Sequence, residues 1–305
     1  MEHHAQSIDD QLITCLSYKL KPGASYVTDR RSVTYFASGG NQYSPNGVKV
    51  AKFNIVADQW LDPSTFRVMF TLNNIGTPGV LGNVLPLHWN PAILFRRARV
   101  ICGGTVIEDI DDFNRLSLMF TALKSQDDQK EIAMEGFGLF DRVNDQSAGG
   151  LIADPTGAEE DLDERKVYRI SDWDEAGAIE KARTILFKPM LGILAQEKLI
   201  PLRYAPLTFE FELVSNAAGC MFVGTQKGIN YVSNWGISDI QCKMDLLTLD
   251  SSLQNEYASH LLSGKNLPIN FSSFNHTNQS TNGDKDFSTH PSCSYPSKIS
   301  VYYSV

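Results

Sequence analysis

The stretch from Ile93 to Leu123 constrains this chain most. An apolar run carrying Arg96, Arg97 and Arg99 leads to Gly103-Gly104, and a second β-type run, Thr105-Val106-Ile107, follows. Two such runs joined by Gly-Gly predict a hairpin, because both glycines accept φ > 0 without a Cβ clash. An acidic turn comes next. There Asp111 or Asp112 is placed to cap a helix whose apolar residues Phe113, Leu116, Phe120 and Leu123 recur at helical spacing. A hairpin feeding a helix in an otherwise strand-rich chain predicts a β-sandwich with a helical insertion, not an enzyme built on βαβ repeats.

Alternation carries the same message elsewhere. Phe66, Val68, Phe70 and Leu72 alternate with polar partners, and Leu207 to Leu213 is apolar at every odd number. Ile240, Cys242, Met244 and Leu246 form a third inward row, and Thr184 to Phe187 resumes β character. Val48 to Val56 reads as a strand with a phase change, Val48 and Val50 on one parity and Phe53 and Ile55 on the other, as a bulge requires. Gln59 to Ser64 reads as a tight connection in which Pro63 fixes φ. Residues 75–91 read as a Gly/Pro-punctuated loop, and 125–181 as one long surface loop. Met190 to Lys198 allows a short helix. Asp250 caps a second helix with Leu253, Tyr257 and Leu261 four apart and Gly264 as its stop. Strands are expected again from Leu267 and from Lys298.

Bulk properties narrow the function classes. A chain of 305 residues, 42% hydrophobic, has ample material for a core. A formal charge of -8 argues against a protein whose main task is wrapping nucleic acid, which needs a basic face. The five cysteines, Cys15, Cys102, Cys220, Cys242 and Cys293, form no C-x-x-C pair and fit buried thiols better than a secreted disulfide framework. The opening MEHHAQSIDDQL has neither the basic nor the apolar region of a signal peptide. No apolar run reaches the roughly 18 residues of a spanning helix.

No catalytic constellation stands out. There is no G-x-S-x-G elbow, P-loop or H-E-x-x-H. The histidines sit singly or, as His3-His4, at the terminus, and the acidic run from Asp154 to Glu164 lacks the spacing of a calcium loop. No catalytic, cofactor-binding or metal residue is therefore assigned. Arg96, Arg97 and Arg99 are placed either to contact phosphate or to pair with the Glu108-Asp109 side or a neighbouring subunit; both readings stand. Asp172-Trp173-Asp174, with Trp60, Trp89 and Trp235, is the nearest approach to a carbohydrate site.

Four strings carry a family likeness: Trp60 to Val68; Phe95 to Val100 through Gly103-Gly104 to Arg115; Gln196 to Tyr204; and Leu249-Asp250 with its helix through Lys265. Together they resemble major capsid proteins of the double jelly-roll lineage of tailless icosahedral DNA viruses, with the nearest likeness to polinton-like viruses and virophage-like elements. In that lineage a strand ending in Leu-Asp closes the first jelly roll and a helix leads into the second. The resemblance implies an all-β chain with two inserted helices. Residues 1–34 would be an N-terminal arm, 35–250 a first jelly roll with its long loop at 125–181, and 251–305 the linker helix and the start of a second. About 55 residues after Asp250 are too few for a second sandwich, so the sequence is expected to stop where that sandwich has barely begun.

The implied function is structural: homotrimeric capsomers of hexagonal outline tiling an icosahedral shell in the virion, after synthesis in the host cytoplasm. The implied partners are further copies of the chain, neighbouring capsomers, and penton or minor capsid proteins. Strong direct nucleic-acid binding is not expected, and an internal membrane is left open. The contact segments implied are the arm before Val33, the Gly39 to Gly47 turns, and the loops 125–181 and 272–297. A single jelly-roll penton or minor capsid protein and a carbohydrate-binding β-sandwich are the alternatives.

Overall fold

The computed structural model describes residues 27–75, 83–87, 90–125, 168–171, 182–220, 230–231, 234–274 and 297–301. In chain order the strands are β1 (Val27–Phe36), β2 (Gln42–Tyr43), β3 (Val50–Ile55), β4 (Trp60–Asn74), β5 (Asn83–Leu87), β6 (Phe95–Cys102), β7 (Thr105–Ile110), β8 (Tyr168–Ser171), β9 (Ala182–Phe187), β10 (Ile200–Pro201), β11 (Leu207–Leu213), β12 (Asn230–Tyr231), β13 (Trp235–Leu249), β14 (Ile269–Ser273) and β15 (Ser297–Val301). Helix α1 (Phe113–Ala122) follows β7, α2 (Gly192–Ala195) follows β9, and α3 (Ser251–Leu262) follows β13.

Two antiparallel sheets make the body. The first runs β1-β13-β4, with β9 and β10 along the far edge of β4 and β2 against the start of β13. The second runs β3-β11-β6-β7. Taking only the long strands β1, β3, β4, β6, β7, β9, β11 and β13 in order, the first sheet reads 1-8-3-6 and the second 2-7-4-5. That order is two interlocked Greek keys, a jelly roll.

The inward parities of both sheets meet in one core. Phe66 and Phe70 of the first sheet and Phe53, Phe95, Phe209 and Phe211 of the second are each almost fully buried. Their rings interlock across the gap: Phe66 lies 4.6 Å from Phe209, and Phe95 lies 5.7 Å from Phe70, 5.9 Å from Phe187 and 5.6 Å from Phe211. A smaller cluster sits on the outer side of the first sheet. There Leu253, Tyr257 and Leu261 of α3 cover Trp60, Leu247 and Leu249, with Trp60 and Tyr257 rings 4.8 Å apart. Asp250 starts α3 as expected, accepting from Ser252 N at 3.0 Å, and Gly264 at φ +76 ends it.

Several expectations are corrected. The arm does not reach residue 34. Val27–Phe36 forms β1, an edge strand held by its ladder to β13 although most of its side chains are exposed and polar. β3 has no phase change: Ala51, Phe53 and Ile55 are buried while Val48 and Val50 face solvent, and its ladder to β11 is regular. Alanine, too small to register as a core residue in the pattern, holds the inward place. Gln59 to Ser64 is no separate connection. Residues 60–64 belong to β4, and Pro63 sits in a bulge where Thr65 Oγ1 donates to Asp62 O and accepts from Asp245 N, a place where proline's missing N–H costs no ladder bond. Strands β5 and β8 lie within the two stretches read as loop, paired to each other.

The opening hairpin forms as read, with Gly103 at φ +53 and Gly104 at φ +87. Its helix turns differently. Asp112 precedes α1 at φ +50 and makes no side-chain cap. Of the expected stripe Phe113 is buried, Leu116 packs against the core and Phe120 meets Phe274 at 5.1 Å, while Leu123 is 76% exposed; Asn114, Ser117 and Thr121 are buried as well. Polar residues face inward because Asn90 Nδ2 donates to Ser117 O and to Thr121 Oγ1, which ties the helix to the turn before β6.

Candidate functional site

The outer face of the second sheet is built from the parity opposite its core. Glu210 and Glu212 alternate with Phe209, Phe211 and Leu213 along β11. Register places Lys52, Glu210, Arg99 and Asp109 in one row across all four strands, with charges that alternate from strand to strand. Lys52 Nζ is 3.2 Å from Glu210 Oε1, Arg99 Nη1 is 3.3 Å from Glu210 Oε2, and Arg99 Nε is 3.5 Å from Asp109 Oδ2. Arg97 grips the same Asp109 with two bonds, of 2.7 and 2.6 Å. Arg96 reaches Asp111 at 3.1 Å and Glu212 at 3.7 Å. Arg96 and Arg97 both face outward because β6 skips one residue against β11 between Glu212 and Leu213.

These contacts give the pairing reading of the arginines its partners, Asp109 among them. Lys52, Arg96, Arg97 and Arg99 meet Asp109, Asp111, Glu210 and Glu212, so these four cations and four anions balance one another. The Arg97 hydrogen bond holds the Asp109 carboxyl below the usual carboxylate range, and the same bond raises Arg97. Both side chains remain about one-third exposed, so screening keeps the pair within about 0–1 kcal/mol. Arg97→Ala is accordingly expected to change unfolding free energy by less than about 1 kcal/mol, measured by urea denaturation at low and high salt. A larger loss would mean the row acts as a cooperative network.

A second polar cluster is interior. Glu108 is 2% exposed. Simple alternation from the exposed Val106 would point it outward, but β7 carries an extra residue, Ile107, between Val106 and Glu108 that sets Glu108 opposite the inward Val100. Its Oε1 accepts from Gly192 N at 2.7 Å and Ser273 Oγ at 2.8 Å, and its Oε2 accepts from Ile193 N at 3.2 Å. Burial raises its carboxyl above the usual range, against the opposing effect of these donors. In sequence Glu108 adjoins the acidic turn and looks like part of it; the break of alternation at Ile107-Glu108 is the signal that marks it as buried.

On the outer side of the first sheet Arg30 joins β1 to two neighbours, Asp245 at 2.8 Å and Asp62 at 3.1 Å. The Gly39 to Gly47 turns are mostly exposed and are anchored at two points. Asn41 Nδ2 donates to Asp239 Oδ1 at 2.8 Å, and Tyr43 is buried. Trp60 and Trp235 are core residues, so neither offers a platform for a sugar ring. Trp89, Asp172, Trp173, Asp174 and nearly all of the loops 125–181 and 272–297 lie outside the described residues, as does the chain before Val27.

Among the described residues no group of three or more His, Cys, Asp or Glu is placed to hold a metal ion, and no helix is long and apolar enough to cross a membrane. Cys102, Cys220 and Cys242 are buried thiols, with burial pushing Cys220 up to about 12.

Strand order and core together define the class: an all-β jelly-roll sandwich. No protein-family model matches the chain, and no curated protein does. Among solved structures it is similar to the capsid of the virus PBCV-1, at 12% identity and TM-score 0.47, covering 85% of this chain and 50% of that one. It is also similar to the Sputnik virophage structure, at 11% identity and TM-score 0.47, covering 87% and 55%. The mavirus major capsid protein matches at 12% identity and TM-score 0.40, covering 84% and 52%. The chain thus spans about half the length of these structures.

Proposed function

We propose that this chain is the first jelly roll of a major capsid protein, a structural component of a virion that assembles with copies of itself into homotrimeric capsomers of an icosahedral shell. One observation carries the reading. The eighth strand of the jelly roll ends at Leu249-Asp250, and Asp250 at once caps a helix that lies on the outer face of the sheet. A strand closed by Leu-Asp and followed by a helix is what the sequence resemblance implies at the junction between two sandwiches. On this reading residues 27–250 form the first sandwich, and the chain from Ser251 leads towards a second. The fold alone does not select a function, since jelly rolls serve lectins and other binding proteins too. The likeness in four separate strings of sequence supports capsid over these.

A shell protein works through rigid flanks that complement its own copies, so that symmetry multiplies a modest contact. The self-neutralised face of the second sheet suits a surface that packs without gathering nucleic acid. Sedimentation velocity with negative-stain imaging at rising protein concentration tests the proposal. Threefold particles are expected; monomers at every concentration and salt level would refute it.

A further inference from the structure

The group around Glu108 has no part in the proposed assembly, yet it is the most deliberate polar arrangement in the interior. It ties three elements together: β7, which carries the carboxyl, α2, which supplies two backbone N–H groups, and β14, which supplies Ser273 Oγ. β14 belongs to the segment after the linker helix, so Glu108 holds that segment to the sandwich. The fit is close. A Cβ on Gly192 would stand 1.9 Å from the carbonyl oxygen of Ser272, so β14 rests directly on the backbone of α2.

We propose that Glu108 is a proton-operated latch: β14 is held tightly to the sandwich when the carboxyl carries a proton and more loosely when it is ionised. Among the described residues no cation compensates the ionised form. Neither α2 nor β14 contains a charged or titratable side chain. The charged neighbours on β6 and β7, Arg99 and Asp109, pair with each other on the opposite face. Lys198 Nζ donates to Pro268 O just before β14, an exposed tie that does not reach the carboxyl. A buried charge answered only by dipoles is costly, and admitting water by loosening β14 relieves that cost. With a proton on Oε1, the carboxyl instead donates to Ser273 Oγ, which accepts while its own hydrogen turns away, and the charge is gone.

The sign follows from the burial of Glu108, 2% exposed and with no cation beside it among the described residues, which raises its carboxyl in the docked form. The docked form binds the proton more readily than the released form, in which Glu108 meets water. Docking is therefore fully present in acid, and it weakens as pH rises through the raised value. This device operates whatever assembly the chain forms.

Hydrogen exchange of the Gly192 and Ile193 amides and of Ile269–Ser273, corrected for intrinsic rate, tests the latch between mildly acidic and mildly alkaline pH. The opening constant is expected to rise with pH, by at most about tenfold per pH unit for a single proton. In Glu108→Gln, a neutral isostere, it is expected to stay flat at the acid value of the wild type. Carbon-13 titration of the glutamate carboxyls in the wild-type chain gives a second reading that needs no variant. One glutamate should titrate above the rest, with the midpoint of the exchange change. An opening constant independent of pH, a pH response that persists in Glu108→Gln, or glutamates that all titrate in the ordinary range would each overturn the proposal.

Discussion

Phe95→Ala is expected to lower the unfolding free energy by about 3–5 kcal/mol, the range for emptying a buried aromatic site. Phe95 is fully buried at the start of β6, where its ring meets two strands of the opposite sheet and one of its own. Its contact with Phe70 is edge-to-face, with the ring planes at 81°, and Phe187 stacks beside it at 21°. Such pairs add roughly 0.5–1.5 kcal/mol each beyond the area they bury. The site cannot collapse easily, because Phe70 and Phe187 are fixed in the β4–β9 ladder of one sheet and Phe211 in the β11 ladders of the other. Phe36→Ala is the matching control. Its ring is 71% exposed at the end of β1, so a change within about 0.5 kcal/mol is expected. Urea denaturation of both variants checks the pair. A loss below about 1 kcal/mol for Phe95→Ala would show that the sheets repack around the gap.

The strands that build this core were legible wherever burial is one-sided and the ladder regular. Leu207 to Leu213 and Phe66 to Leu72 fold on the parity their sequence shows, and so do Ile240 to Leu246. Legibility fails where tertiary geometry shifts the parity. One extra residue in β7 turns Glu108 from an apparent surface acid into the most buried carboxyl of the described chain. One in β13, with Asp239 at φ +54, puts Ile237 and Ile240 on the same side. In β4 a bulge takes in Pro63, a residue that reads as a breaker. On α1 the apolar stripe was legible as far as Phe113, Leu116 and Phe120, which pack inward, but not the buried polar neighbours Ser117 and Thr121, which spacing cannot show because they are tied to Asn90 across the turn before β6. Of the charge row of the second sheet the arginines and Asp109 were legible, but Glu210 and Glu212 were not, because they come from a strand more than a hundred residues away in sequence.

Gly192→Ala is expected to displace β14 from the sandwich. The glycine is required here by space and not by a left-handed backbone. The added Cβ would fall 1.9 Å from the Ser272 carbonyl oxygen, 2.8 Å from its carbon and 3.1 Å from Phe271 Cδ2. Two of those atoms are backbone, so no side-chain rotation relieves the overlap, and either α2 or β14 must move. Moving α2 would break the 2.7 Å bond from Gly192 N to Glu108 and leave a buried carboxyl short of a donor. Moving β14 exposes Ile269 and Phe271, now 2% and 6% exposed, at roughly 1.5–3 kcal/mol for each side chain. The second route keeps the eight-stranded body intact, so loss of order is expected to concentrate after the linker helix. Limited proteolysis should then cut between residues 263 and 274 while the eight long strands of the sandwich stay protected, and the circular dichroism of the sandwich should change little. Ser273→Ala removes only one donor to Glu108 and should have a smaller effect in the same assay, about 1–3 kcal/mol. If Gly192→Ala leaves β14 as resistant as in the wild type, the close seat of β14 on α2 does not hold this segment in place.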